Sequence, residues 1–174
     1  MEERIDQLYV QGMIYTEIKD YEQAADCFRE AAEWFHPDAQ YRLAFCYEWG
    51  LGVKENAEEA LCWYKRSAEL DQVKAQCHLG DLYVNGESVD KDESMAFEWY
   101  LKAAQQGDSD AMYKLALCYH NGCGVPADKT RASAWFKEAA DAGNILAKYN
   151  YANGILFADD VDNDNKTDLA ENVQ

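Results

Sequence analysis

The segment richest in chemically reactive side chains spans residues 111–143, where a histidine, two cysteines and a Gly-x-Gly turn occur close together. Cys118, His120 and Cys123 carry the sulfur and imidazole ligands that bind zinc. Their Cys-x-His-x2-Cys spacing supplies only three ligands and differs from standard zinc sites, so zinc is an alternative interpretation rather than the leading one. The Gly-x-Gly turn also lacks the strand and lysine context of a phosphate-binding loop.

A second set of candidate ligands lies in the acidic C-terminal segment, residues 159–171, which reads DDVDNDNKTDLAE. Carboxylates fall close to the EF-hand series of calcium ligands. They are Asp160, Asp162, Asp164, Asp168 and Glu171. However, Asn165 replaces the glycine of the sharp turn, Thr167 replaces the usual apolar residue, and no helix pair of normal length flanks the loop. Calcium binding is therefore one hypothesis, and a solvated Asp/Asn-rich turn is the other.

Enzymatic motifs are absent from the sequence. It contains no nucleophile elbow, no HExxH zinc helix and no dinucleotide-binding fingerprint. His36 and His78 are isolated and are interpreted as surface or groove residues. Because no nucleophile, base and orienting group converge by motif, we predict a protein that is not an enzyme. No cofactor is expected, calcium being the one candidate.

The charge of the chain restricts its partners. Among 174 residues, 33 are acidic and 16 are basic, giving a formal net charge of -17. Such a charge opposes binding to nucleic acid and anionic lipid, and it attracts basic peptides or proteins. No apolar run approaches the roughly 20 residues of a membrane span, so membrane insertion is not expected. A hydrophobic content of 48% nevertheless predicts a packed core.

The N-terminus and the cysteines indicate a cellular compartment. The first ten residues, MEERIDQLYV, lack the basic start and apolar stretch of a signal peptide. The six cysteines are irregularly spaced, and a chain of this length buries a core without disulfides, so we predict reduced thiols. Both features favour a cytoplasmic location, unless a leader was removed.

The elements that position these residues follow from an internal repeat with a period of 36 residues. A leading alanine, a leucine, a tyrosine and a glycine recur in the first half of each unit. A second alanine, an aromatic pair and a third alanine recur in the second half. The recurring sets are Ala39, Ala75, Ala111 and Ala147; Leu43, Leu79 and Leu115; Tyr47, Tyr83 and Tyr119; Gly50, Gly86 and Gly122; Ala60, Ala96 and Ala132; Trp63-Tyr64, Trp99-Tyr100 and Trp135-Phe136; and Ala68, Ala104 and Ala140.

Each half of the repeat predicts one helix, because its apolar residues share one helical face. Asn56, Asp92 and Asp128 are placed to cap the second helices, and Gly107 and Gly143 to end two of them. One helical hairpin cannot bury its own apolar surface, so successive hairpins are expected to stack.

The pattern A-x3-L-[GA]-x2-Y-x2-G-x-G-V…A-x2-WY-x-x-[SA]-A, from residue 39 to 143, resembles the Sel-one-like repeat (SLR) family, relatives of tetratricopeptide proteins. The resemblance implies an all-α, right-handed solenoid of about five helix-turn-helix units. It also implies a scaffold for signalling, secretion, host interaction or assembly of membrane-associated complexes.

Three units depart from the pattern. The first unit has tetratricopeptide spacing, with Cys27 in the tryptophan position and a connecting turn that is four residues shorter. The third unit has Ser88 in place of the second glycine, and the fifth unit is truncated. We predict one helical-repeat domain over residues 1–158, with units at about 5–38, 39–74, 75–110, 111–146 and 147–158, and an acidic tail or short last helix over 159–174.

The face opposite the packing stripe is predicted to line a concave groove, the usual peptide-binding surface of a solenoid. It contains the residues two, six and nine positions after each leading alanine, with unit one aligned through its glycine. These are Tyr9, Met13 and Thr16; Tyr41, Phe45 and Glu48; Cys77, Asp81 and Val84; Tyr113, Leu117 and His120; and Tyr149, Asn153 and Leu156. Tyrosine recurs in four of these five sets, which favours recognition, although packing between hairpins is the alternative.

We therefore predict an adaptor that binds a protein or peptide in this groove. Glu48, Asp81 and the net charge favour a partner segment with apolar anchors flanked by Lys or Arg. The alternative from another class is a regulatory protein that responds to calcium through residues 160–171. The sequence does not specify an oligomeric state.

Overall fold

The computed structural model describes residues 2–86 and 88–152, and in that part of the chain there are nine α-helices and no β-strand. None of these helices is long and apolar enough to cross a membrane. Their bounds are α1 (Glu2–Glu17), α2 (Tyr21–Glu33), α3 (Pro37–Trp49), α4 (Ala57–Glu69), α5 (Val73–Asn85), α6 (Glu93–Gln105), α7 (Ser109–Asn121), α8 (Lys129–Asp141) and α9 (Ile145–Ala152).

The helices form successive hairpins. The first helices are α1, α3, α5 and α7, and each pairs with the second helix that follows it: α2, α4, α6 and α8. Each second helix also packs against the next first helix, and α9 packs on α8 in the same way. This arrangement confirms the predicted all-α helical-repeat fold.

Side-chain caps fix the start of each helix after α1. Those of the second helices are Asp20, Asn56, Asp92 and Asp128, whose side chains accept hydrogen bonds from backbone N–H groups of the first turn. The first helices have a second series of caps, which was not predicted from the sequence: His36, Gln72, Asp108 and Asn144. Both series keep the 36-residue period, and a polar N-cap contributes about 1 kcal/mol to helix stability.

The core is the predicted stripe of small and bulky side chains. The leading alanines and the leucines four positions later are fully buried, as are the second-helix aromatics Phe28, Tyr64 and Phe136. Alanines at the crossings allow the helix backbones to approach, and the aromatic rings fill the space between hairpins. Fully burying one leucine contributes about 1.5–3 kcal/mol, so this repeated stripe is the main source of stability.

Tight turns connect the helices. The first helices α3, α5 and α7 end at the predicted glycines Gly50, Gly86 and Gly122, which adopt the left-handed conformation. The second glycine of the loop has a different role at Gly124, where φ is +71° and an added Cβ would lie 2.1 Å from the carbonyl oxygen of Glu93. The loop after α7 therefore passes directly over the start of α6, a close approach that only glycine permits.

Ser88 occupies the position of this second glycine in unit three, and its φ of +59° is unfavourable for a residue with a side chain. We expect Ser88→Gly to raise the free energy of unfolding by about 1 kcal/mol, because the left-handed conformation then carries no steric cost. Urea denaturation followed by circular dichroism measures the change. The matched substitution Ser133→Gly, inside α8, should lower stability instead; a loss of stability at Ser88 as well would contradict the expectation.

Candidate functional site

The predicted groove residues lie on the first helices, one set per helix. Tyr9 and Met13 are on α1, Tyr41, Phe45 and Glu48 on α3, Cys77, Asp81 and Val84 on α5, Tyr113, Leu117 and His120 on α7, and Tyr149 on α9. Asn153 and Leu156 lie outside the described residues. Most of the described members are partly exposed, so they contribute both to packing and to the surface.

The groove tyrosines rest on aromatic rings of the second helices. Ring centroids are 6.1 Å apart for Tyr9–Phe28, 5.7 Å for Tyr41–Tyr64 and 5.6 Å for Tyr113–Phe136. One edge of each tyrosine therefore packs against its own hairpin, while part of the ring remains accessible. Tyr149 differs, because it is 62% exposed.

Glu48 links three helices. Its Oε2 accepts a hydrogen bond of 2.6 Å from the Tyr64 hydroxyl on α4. Its Oε1 lies 3.3 Å from Nε2 of His78 on α5, without hydrogen-bond geometry, and the His78 ring packs on Tyr64 with centroids 4.2 Å apart. Burial and the hydrogen bond to Glu48 both raise the pKa of Tyr64, so its hydroxyl remains protonated and acts as a donor.

Asp81 has the same role one unit later. It accepts a hydrogen bond of 2.7 Å from the Tyr100 hydroxyl on α6, and Lys114 Nζ on α7 lies 2.7 Å from its Oδ1 and 2.6 Å from its Oδ2. Lys114 Nζ also lies 3.5 Å from Cys77 Sγ. Burial lowers the pKa of Lys114, but its interactions with Cys77 and with the Asp81 carboxylate raise it by more, so the ammonium is retained.

In the units whose groove residues include a carboxylate, the second helix has a buried tyrosine hydroxyl. Glu48 pairs with Tyr64 and Asp81 with Tyr100, whereas units one and four lack a groove carboxylate and have phenylalanine, Phe28 and Phe136, at the equivalent position. This correspondence follows from the cost of burying an unpaired hydroxyl. The two carboxylates therefore already have donors within the chain.

In units three to five, the residue three positions after the leading alanine lies against the preceding first helix. His78 lies next to Glu48, Lys114 binds Asp81, and Asn150 Nδ2 donates a 3.1 Å hydrogen bond to the Tyr113 hydroxyl. This series was not predicted from the sequence. The sequence indicates it only by a polar residue that recurs three positions after the leading alanine in units three to five.

Apolar side chains on the predicted groove face are exposed to solvent or line a pocket. Phe45 and Trp49, on α3, are 36% and 63% exposed, and their ring centroids lie 6.0 Å apart. Farther along the face there is a pocket of about 200 Å³, here called the α5–α7 pocket. Val84, Leu117 and the ring of Tyr100 contribute to its apolar walls, and Lys114 lines it as well.

Three of the thiols, those of Cys46, Cys77 and Cys118, do not favour nucleophilic chemistry. All six cysteines are free. Burial raises the pKa of Cys46 and Cys77 to about 11 and that of Cys118 to about 12, so these thiols are protonated at neutral pH. The alternative zinc site is also not formed, because Cys118, His120 and Cys123 do not make a group able to hold a metal ion. The predicted calcium ligands lie outside the described residues, so calcium binding stays a prediction.

The repeat pattern and the hairpin geometry have a match among known families. The profile of the Sel1 repeat matches residues 8–33, 37–72, 73–108 and 109–144. The chain belongs to the Sel1 repeat family. Proteins of this family are generally protein-interaction scaffolds and are typically not enzymes.

Solved structures of Sel1 repeat proteins are similar over most of the chain. A Sel1 repeat protein from Oxalobacter formigenes is 34% identical with a TM-score of 0.80, and the match covers 87% of this chain and 44% of that one. A protective antigen of uropathogenic Escherichia coli with an SLR fold is 29% identical with a TM-score of 0.80, covering 87% of this chain and 34% of that one. The present chain thus matches less than half of either protein.

A third structure, the cysteine-rich protein B of Helicobacter pylori, shares the fold. It is 24% identical with a TM-score of 0.58, and the match covers 72% of this chain and 95% of that one. A comparison with curated protein sequences finds no significant match.

Proposed function

We propose that this Sel1 repeat protein is an adaptor that binds an extended or helical segment of another protein along the face of its first helices. The observation that carries the proposal is the contrast between the polar and the apolar side chains of this face. Its carboxylates are held by donors of the chain itself, while apolar groups, above all the pair Phe45 and Trp49, stay exposed. Exposed aromatic side chains beside a fixed polar framework are typical of recognition surfaces.

The α5–α7 pocket provides a second anchor point on the same face. Its volume of about 200 Å³ suits one apolar side chain of the partner, with Val84 and Leu117 as the contacting residues. Phe45 and Leu117 have the same register two units apart, so a bound segment running across the first helices meets both. The half-buried Tyr41 and Tyr113 lie on the same two helices as these anchors.

We expect a basic partner because the acidic chain attracts it at long range, and not because the partner contacts Glu48 and Asp81 directly. Because these two carboxylates are already paired, the excess of 33 acidic over 16 basic residues is what favours Lys or Arg around the apolar anchors. Such an attraction mainly speeds association and weakens as salt is added. The same charge disfavours nucleic acid as the partner.

A peptide library displayed on phage and selected against the intact protein tests the proposal. We expect enrichment of peptides with apolar anchors next to Lys or Arg. Phe45→Ser and Leu117→Ser should each weaken the Kd of a selected peptide about tenfold, the effect of losing one hot-spot contact. Fluorescence anisotropy at two salt concentrations measures both the Kd and its dependence on charge.

Trp34→Ser is the matched control, since Trp34 is an exposed aromatic residue, at 55%, in the turn between α2 and α3 and is not one of the predicted groove residues. It should leave the Kd unchanged. Equal effects of Trp34→Ser and Phe45→Ser, or peptides indifferent to both groove substitutions, would contradict the proposed surface. Unchanged circular dichroism of each variant shows that the fold is retained.

A further inference from the structure

A cavity on another part of the molecule has features of a built binding site. It has a volume of about 480 Å³ and lies between the successive second helices α2 and α4, next to the first turn of α3. Its lining includes Glu33, Gln40, Trp63, Arg66, Glu69 and Leu70, and none of the predicted groove residues. The cavity is here called the α2–α4 cavity.

Gln40 lines this cavity, and its side-chain carbonyl oxygen is a buried acceptor without a hydrogen-bond partner in the described part of the chain. The residue is only 2% exposed, and its Nε2 donates a 3.1 Å hydrogen bond to the carbonyl oxygen of Ala32. Its Oε1 is buried and has no hydrogen-bond partner among the described residues. A buried carbonyl oxygen is normally paired, so this atom is poised to accept a donor.

The next unit shows which group is missing. Gln76 has the register of Gln40, and its Nε2 likewise donates to the carbonyl oxygen of Ala68, at 3.2 Å. Its Oε1, however, accepts a 2.8 Å hydrogen bond from Nε2 of Gln106. The residue at the Gln106 register in the preceding unit is Leu70, which has no donor and is 39% exposed. The unpaired oxygen thus corresponds to a leucine at the register where the next unit has the donor Gln106.

The other lining groups define what kind of donor fits. Glu33 and Glu69 contribute two carboxylates against one guanidinium, that of Arg66, so the cavity has a net negative charge. The Arg66 guanidinium lies 4.7 Å from the centroid of the Trp63 ring, so this aromatic wall already carries a cation of the chain itself. Leu70 adds apolar surface for an alkyl stem.

We propose that the α2–α4 cavity binds an arginine side chain of a partner polypeptide. A guanidinium has five N–H donors and no acceptor, as a site with an unpaired amide oxygen and two carboxylates requires. Free arginine fits less well, because its α-carboxylate would meet Glu33 and Glu69. This site is separate from the first-helix face and does not depend on the proposed peptide groove.

Isothermal titration of the full chain with N-acetyl-arginine methylamide tests the site. We expect saturable binding, and binding at least about tenfold weaker for the uncharged citrulline analogue, because the charge-assisted hydrogen bonds are lost. The decisive variant is Leu70→Gln. Its amide should donate to Gln40 Oε1 as Gln106 does to Gln76, which weakens arginine binding about tenfold while the thermal midpoint stays equal or rises.

Leu70→Met is the matched control, since it keeps an apolar side chain without a donor and should retain the affinity of the parent protein. Gln40→Met removes the acceptor itself and should weaken binding as Leu70→Gln does. The proposal is wrong if Leu70→Gln binds the arginine derivative as tightly as the parent, or if the citrulline analogue binds equally well. Tighter binding of free arginine than of its capped form would overturn the assignment to a polypeptide.

Discussion

Replacing Gly124 by alanine should lower the free energy of unfolding by about 3 kcal/mol or more, because two costs combine. The residue has φ +71°, a conformation unfavourable for a side chain. The new Cβ would also lie 2.1 Å from the carbonyl oxygen and 2.5 Å from the carbonyl carbon of Glu93, and these are backbone atoms that cannot rotate away. The loop after α7 must then lift from the start of α6, which opens the contact between units three and four. Urea denaturation measures the loss.

Gly107→Ala separates the two costs. Gly107 also has a positive φ, +92°, but a Cβ there would meet nothing within 4 Å. Only the conformational cost remains, about 1–2 kcal/mol. Equal losses of unfolding free energy for the two alanine variants would show that the loop after α7 is not in close contact with α6, and the contact between units three and four would then be wrong.

The fold was predictable from the sequence because one physical requirement recurs every 36 residues. Each unit places an alanine, a leucine and an aromatic ring on faces that no single hairpin can bury, and the spacing alone then predicts paired helices. The caps Asn56, Asp92 and Asp128 were equally visible, since a short polar residue directly before an apolar run has few other roles.

The candidate site was less predictable, because it depends on contacts between units. Glu48 and Asp81 looked like exposed charges for a basic partner, but each accepts a hydrogen bond from a second-helix tyrosine and meets a basic residue of the next first helix. A helical wheel shows which residues share a face, not which side chains span the gap between neighbouring helices. His36, interpreted from the sequence as an isolated surface or groove residue, caps the start of α3 by accepting a hydrogen bond from the backbone N–H of Ala39.

Asp81→Leu is the substitution with the second largest expected effect. It introduces the residue that unit four has at this register, Leu117, and should lower the free energy of unfolding by about 2 kcal/mol. The Tyr100 hydroxyl loses its acceptor in a residue that is 4% exposed, and the Lys114 ammonium loses its carboxylate. Because the side chains of Lys114 and Asp81 are 31% and 38% exposed, solvent compensates in part, and the cost stays below that of breaking a fully buried pair.

The triple variant Asp81→Leu, Tyr100→Phe, Lys114→Met should regain most of this loss and unfold within about 1 kcal/mol of the parent protein. Removing all the polar partners together leaves none unpaired, and Leu117 with Phe136 shows that the fold accepts the apolar pair. Chemical denaturation of the single, double and triple variants gives the coupling energies among the three side chains. Losses that simply add would mean that Asp81, Tyr100 and Lys114 act independently, and the connection between the first helices would then contribute nothing to stability.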